Sequence, residues 1–205
     1  MQIGIIDYGM GNLLSVKNAL AAVGADVRVA TSGAELADVH GVVLPGVGAF
    51  GSGMAGLRER GFVDAIEREV RERRKPMLGI CLGMQLLAER GSEGGHQPGL
   101  GWIDGDVVRL EGAADVRIPH IGWNDVQGRG ALFSGIPERA SFYFVHSFHF
   151  VPTAPPVVAG TTEYGVEFMS AVEHDNIYGV QFHPEKSHKH GLALLKNYLQ
   201  IVKRS

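Results

Sequence analysis

Cysteine is almost absent from this chain: Cys81 is the only one among 205 residues. A lone cysteine excludes an intramolecular disulfide and any structural zinc site built on cysteines. Long apolar runs are missing as well. No uninterrupted stretch approaches the ~20 residues of a membrane-spanning helix. The opening segment carries no basic stretch and is interrupted by Asp7, so it does not read as a signal peptide. Positive charge is not in surplus, with 19 Lys and Arg against 22 Asp and Glu. No basic stripe is present to neutralise a phosphate backbone. Neither a nucleic acid nor a membrane is therefore an expected partner, and a soluble, cytoplasmic protein is expected. Prolines number only nine, and the 29 glycines follow no three-residue period. That excludes collagen and leaves many tight backbone positions to explain. Hydrophobic residues at 45% permit a sizeable core and exclude global disorder. No linker or repeat divides the chain, so residues 1–205 read as a single domain.

What is present is an alternation. Short apolar runs at 3–7, 27–30, 42–44 and 77–80 predict strands, the third stopped by Pro45-Gly46. Between and after them, helical patterns cover 12–23, 53–74 and 82 to about 90. Strands alternating with helices predict a parallel sheet with right-handed crossovers. From Gly99 to Gly179, β-branched and aromatic residues sit between Gly, Pro and Asn, which predicts strands joined by hairpins or short loops. A last helix is expected over 192–202. The fold class expected is α/β, a largely parallel sheet flanked by helices, with a β-rich C-terminal half.

Several motifs invite chemistry. Gly9-Met10-Gly11 follows the first strand, but a dinucleotide fingerprint needs a third glycine where Leu14 stands and an acidic residue after the second strand, where Thr31-Ser32 stand. A plain glycine turn is the better reading. Nine histidines suggest a metal, yet there is no HExxH pattern, and Pro184 disfavours a helix that would align His183 with His188. No metal is expected, and most of the histidines read as surface or packing residues. Cys81 is different. It sits in Gly79-Ile80-Cys81-Leu82-Gly83, between a strand and a helix, which is the spacing of a nucleophile elbow. Glycines two residues to either side let the chain turn sharply, and the helix N-terminus favours a thiolate and offers N–H groups to an oxyanion. Such an elbow needs a base and a group that orients it. His183-Pro184-Glu185, at the end of an apolar strand, offers both. Pro45-Gly46-Val47-Gly48, after another strand, can turn a peptide N–H inward, or can be an ordinary turn.

Pro-Gly-x-Gly, Gly-x-Cys-x-Gly and Phe-His-Pro-Glu in that order resemble the class I (triad) glutamine amidotransferases, whose domain is flavodoxin-like. Within that family, the segments IGIIDYGMGNLLSVKNAL, LPGVGAF, GICLGMQLL, IPHIGWNDV, YFVHSF and GVQFHPEKS are similar to the glutaminase subunits of imidazole glycerol phosphate synthases over essentially the whole chain. The resemblance implies that Cys81 attacks glutamine, that His183 is its acid/base and that Glu185 orients His183. It implies an oxyanion hole at Leu82 with Val47 and Gly48. Gln85, Glu93, Ser147 and Phe148 would recognise the substrate, Phe148 standing where relatives often carry tyrosine. No cofactor is implied. The partner implied is a (β/α)8 cyclase subunit in a heterodimer, which takes up the ammonia to make imidazole glycerol phosphate and AICAR in histidine biosynthesis. A triad at the carboxyl ends of the strands places that partner over Asn12, Tyr143 and Lys186. Three alternatives remain at this point: a glutaminase feeding pyridoxal phosphate synthesis, a cysteine peptidase or γ-glutamyl hydrolase, and a scaffold with a relic triad.

Overall fold

The computed structural model describes residues 1–111 and 116–205. Along the chain run β1 (Gln2–Ile6), α1 (Leu13–Ala22), β2 (Asp26–Ala30), β3 (Gly41–Gly46), α2 (Phe50–Glu59), α3 (Phe62–Ile66), β4 (Met77–Cys81) and α4 (Leu82–Gln85). There follow β5 (Ala88–Gly91), β6 (Gln97–Pro98), β7 (Ile103–Arg109), β8 (His120–Gly128), β9 (Arg139–His146), β10 (Phe148–Pro152), β11 (Val158–Tyr164), β12 (Val166–His174), β13 (Ile177–Val180) and α5 (His188–Arg204).

A nine-stranded sheet in the order β2-β1-β3-β4-β13-β12-β11-β8-β9 runs through the molecule. Its first five strands are parallel, and from β12 onward the pairing is antiparallel. The parallel strands are covered on both faces, as such sheets must be. Alternation shows it directly: Ile3, Ile5, Val43, Leu78 and Ile80 pack with Val16 and Leu20 of α1 and Leu194 and Leu195 of α5. Ile6, Val42, Leu44 and Met77 pack on the other side with Phe50 and Leu57 of α2 and Phe62 of α3. A second sheet, β10-β7-β5-β6, adds Ile103, Val107 and Phe150 to that second face.

Three expectations shift. β3 continues through Pro45-Gly46, with Pro45 opposite Ile80 and Gly46 opposite Cys81, because a proline at a strand end costs only one ladder bond. The helix expected over 53–74 breaks at Gly61, whose φ of 68° is left-handed and cannot continue a right-handed helix. The helix expected from 82 to about 90 ends at Gln85. Its next carbonyls are claimed from elsewhere: Leu86 O accepts from Leu100 N at 2.9 Å and Leu87 O from Trp102 N at 2.9 Å, and the chain becomes β5.

Candidate active site

β3, β4 and β13 lie side by side, and their carboxyl ends deliver Gly46, Cys81 and the segment leading to His183 to one edge. At the end of β4 the chain reverses into α4. Cys81 takes it through φ 53° and ψ −109°, a conformation that side chains rarely adopt. Such strain costs on the order of 1–3 kcal/mol and persists only where packing holds it. The flanking glycines make it possible. A Cβ on Gly79 would lie 2.7 Å from Gly83 O, and one on Gly83 would overlap the Leu44 carbonyl oxygen. The elbow read from the sequence is thus a physical elbow, with Cys81 buried at 6% exposure.

His183 and Glu185 follow β13. Glu185 Oε1 accepts from His183 Nδ1 at 2.8 Å, with both side chains almost wholly buried. This bond leaves Nε2 as the free nitrogen. Burial works to lower the pKa of His183, but hydrogen bonding and electrostatic attraction toward Cys81 and Glu185 outweigh it and hold it up at about 9. Nε2 nevertheless makes no hydrogen bond of good geometry with any described group. The Cys81 sulfur is near enough to raise the His183 pKa, but its hydrogen bond with Nε2 is still loose, as is common before substrate tightens a site.

A cavity of about 450 Å3 opens at Cys81, and Val47, Gly48, Leu82, Gln85, Glu93, Ser147 and Phe148 all line it. Gly48 has φ 109°, a backbone conformation that favours glycine, while a Cβ there would meet only the mobile end of Met10. Glu93 reaches across to accept from Phe50 N at 2.9 Å, at the start of α2. Gln85 Nε2 donates to Phe148 O at 2.9 Å. A larger hollow of about 540 Å3 lies along β8 and β11, but no elbow opens into it, and the chemistry belongs to the smaller one. Among the described residues, no group of three or more His, Cys, Asp or Glu side chains could hold a metal ion.

Asn12, Tyr143 and Lys186 sit outside the cavity. Asn12 caps α1, its Oδ1 accepting from Ser15 N at 3.3 Å. Lys186 is exposed, with Nζ 5.7 Å from the centre of the Tyr143 ring. Tyr143 is tied to the His183 segment: His183 N donates to Tyr143 O at 2.8 Å, and Tyr143 N donates to Ser187 Oγ at 3.0 Å. Beside Tyr143 stands Trp123, 48% exposed and stacked on His188.

Sequence reasoning overlooked Trp123 and three buried groups. Ser187 donates to His183 O at 2.6 Å and fixes the turn after the histidine. Gln181 donates to Cys81 Sγ at 3.6 Å. His120 and His146, expected only as surface or packing residues, hydrogen-bond to each other at 3.0 Å, and His146 Nδ1 reaches Phe148 O at 2.9 Å. Gln181 lies just past the end of β13, two residues before His183, and no local pattern singles it out.

Fold and site together define the class: an α/β amidase with its thiol on a nucleophile elbow and a His–Glu pair beside it. Comparison with known proteins agrees. The family model for glutamine amidotransferase class-I matches residues 4–201. The imidazole glycerol phosphate synthase subunit HisH of Moorella thermoacetica is 52% identical over 205 residues, covering 99% of this chain and 96% of that protein. Subunit HisH 2 of Pseudomonas aeruginosa is 48% identical over 200 residues, covering 97% and 98%. Among solved structures, a glutamine amidotransferase superposes with a TM-score of 0.77 at 21% identity over 98% of each chain. PurLQS from Thermotoga maritima gives 0.75 at 20% identity, covering 99% of this chain and 97% of that one. The chain belongs to the class I glutamine amidotransferases, on the branch of the HisH subunits.

Proposed function

We propose that this chain is the glutaminase subunit of an imidazole glycerol phosphate synthase. The observation that carries the reading is Cys81 on a strained elbow beside a His183–Glu185 pair bonded at 2.8 Å. Cys81 passes its thiol proton to His183 Nε2 as Sγ attacks the side-chain carboxamide carbon of glutamine. The C–N bond breaks, and Nε2 hands that proton to the departing nitrogen, leaving ammonia and a glutamyl thioester. Water, deprotonated by His183, then attacks the thioester and releases glutamate and the free thiol. Glu185 keeps the proton of His183 on Nδ1 and stabilises the imidazolium. Leu82 N–H, with an N–H of the Val47-Gly48 segment, receives the oxyanion. Gln85, Glu93, Ser147 and Phe148 line the cavity that takes the glutamine.

Ammonia would be protonated in bulk water, so a partner must cover the exit. The partner is the (β/α)8 cyclase subunit, docked in a heterodimer over Asn12, Tyr143 and Lys186. It consumes the ammonia with its nucleotide intermediate to give imidazole glycerol phosphate and AICAR in histidine biosynthesis. Trp123, 48% exposed and paired across β8 and β9 with Tyr143, and Ile121, 58% exposed two residues before it on the same face of β8, support the docking face, since adjoining exposed apolar side chains mark interfaces. No helix among the described residues is long and apolar enough to cross a membrane, and the reading places the complex in the cytoplasm. The test is reconstitution. Glutamate and imidazole glycerol phosphate should form in equal amounts when the cyclase and its nucleotide are present. Glutamine left intact by the complex would overturn the reading, and so would hydrolysis without any product from the cyclase.

A further inference from the structure

Gln181 is fully buried, and no role described so far uses it. A primary amide in the interior is costly unless its groups are paired. Its backbone N–H is taken by Ser170 O at 2.9 Å. The side chain can pair in one direction only. Phe148 O is a main-chain carbonyl and can only accept, so Gln85 presents its NH2 there, at 2.9 Å. The same Nε2 also points at Gln181, at 3.0 Å, and Gln181 must answer with its oxygen. Its own NH2 is thereby turned onto Cys81 Sγ, at 3.6 Å. The orientation of a buried amide is usually a choice between two flips. Here one backbone carbonyl decides it for both glutamines.

We infer that Gln181 is a donor to the reacting sulfur, holding Sγ in place and favouring its charged, attacking form. The inference rests on Cys81 being the nucleophile and adds a residue to that machinery. Hydrogen bonds to ionised acceptors are stronger than neutral ones, so the bond tightens as the thiol loses its proton. Gln85 is then a positioning residue for this donation as well as a wall of the cavity. The relay Phe148 O, Gln85, Gln181, Sγ connects the peptide on one side of the cavity to the sulfur on the other.

A structural amide would only need to fill space and satisfy Gln85. Gln181→Met and Gln181→Leu keep the volume and remove the donor; Gln85→Met keeps the donor and removes what orients it. The readout is alkylation of Cys81 by iodoacetamide in the free full-length chain, followed by intact mass across a pH series, with thermal unfolding recorded alongside. At pH 7, Gln181→Met and Gln181→Leu should react roughly tenfold more slowly than the parent chain and recover at higher pH. Gln85→Met should show a smaller loss. With glutamine in the assembled complex, Gln181→Met should lose kcat more than it changes KM. A folded Gln181→Met alkylated at the parent rate at every pH would overturn the proposal, and Gln181→Leu decides the matter if Gln181→Met does not fold. Should Cys81 of the parent chain react no faster than free cysteine, the nucleophile reading itself falls and takes this proposal with it.

Discussion

Acid should loosen the wall of the cavity through the buried His120–His146 pair. Phe148 O can only accept, so His146 carries its proton on Nδ1, and its Nε2 is bare. That nitrogen accepts from His120 Nδ1 at 3.0 Å, and His120 Nε2 is left to accept from Asn124 Nδ2 at 3.3 Å. Each ring has one proton and one partner per nitrogen. A second proton on His146, or one on His120 Nε2, would set two donors face to face. Burial is the main cause that pushes His120 down to about 4 and His146 to about 3. The unfolded chain, with ordinary histidines near 6.5, therefore binds protons first as pH falls. The pair's contribution to stability is complete above about pH 6.5 and is lost as pH drops toward 4. For His120 a drop from 6.5 to about 4 corresponds to about 3 kcal/mol at ~1.4 kcal/mol per pH unit. Its surroundings remain partly open to solvent screening, so about 2 kcal/mol is the working figure. His183, with its pKa raised to about 9, has the opposite sign: its contribution is complete below about 6.5 and fades as pH rises toward 9, outside this window. Urea unfolding at a series of pH values measures the slope. The double variant His120→Phe, His146→Leu should be flatter between pH 6.5 and 4 by at least about 2 kcal/mol, the share of His120 alone, whatever its stability at neutral pH. Equal slopes in both proteins would refute the neutral-pair argument.

Other outcomes follow from the same geometry. His183→Ala should slow thioester formation by roughly 10²–10⁴ in single-turnover assays, with Glu185→Gln less damaging because the ring stays in place. Parent rates in both would make the pair structural. Gly83→Ala drives a methyl into the Leu44 carbonyl and should cost about 3 kcal/mol or more in urea unfolding; a change under about 1 kcal/mol would mean the elbow is looser than its glycines indicate. Lys186→Ala should raise the Kd for the cyclase, or the ratio of glutamine hydrolysed to imidazole glycerol phosphate formed, and leave ammonium-driven turnover by the cyclase nearly unchanged. If both quantities match the parent, Lys186 is only a surface charge.

Much of the parallel sheet was legible because it is covered twice. Runs such as Ile3 to Ile6 and Val42 to Leu44 need no polar face, so they stand out as continuous apolar stretches. The elbow was legible for a different reason: close approach of backbone at Gly79 and Gly83 leaves only glycine possible, and that constraint is written into five consecutive residues. The end of α4 was not legible. Leu86 and Leu87 suit a buried helix or a buried strand equally, and what stops the helix is the N–H of Leu100 and of Trp102, which arrive from a later segment. Gln181 was hidden by distance. Its partners Gln85 and Cys81 lie 96 and 100 residues away, so no local pattern distinguishes it from any polar residue at the end of an apolar strand. The histidine pair was hidden in the same way, 26 residues apart and joined only when β8 and β9 align in register. The exposed Trp123 stood inside a segment used for the resemblance, but its exposure on the outer face of β8 is a property of the folded sheet alone.

The most direct test of the account is to catch the thioester. The chain, assembled with the cyclase and its nucleotide, is mixed with glutamine, quenched in acid within the first turnover, digested and weighed. The account predicts a glutamyl adduct on the peptide that carries Cys81, absent from Cys81→Ser, which should also form no glutamate. An adduct on any other residue, or glutamate released by Cys81→Ser at the parent rate, would contradict it.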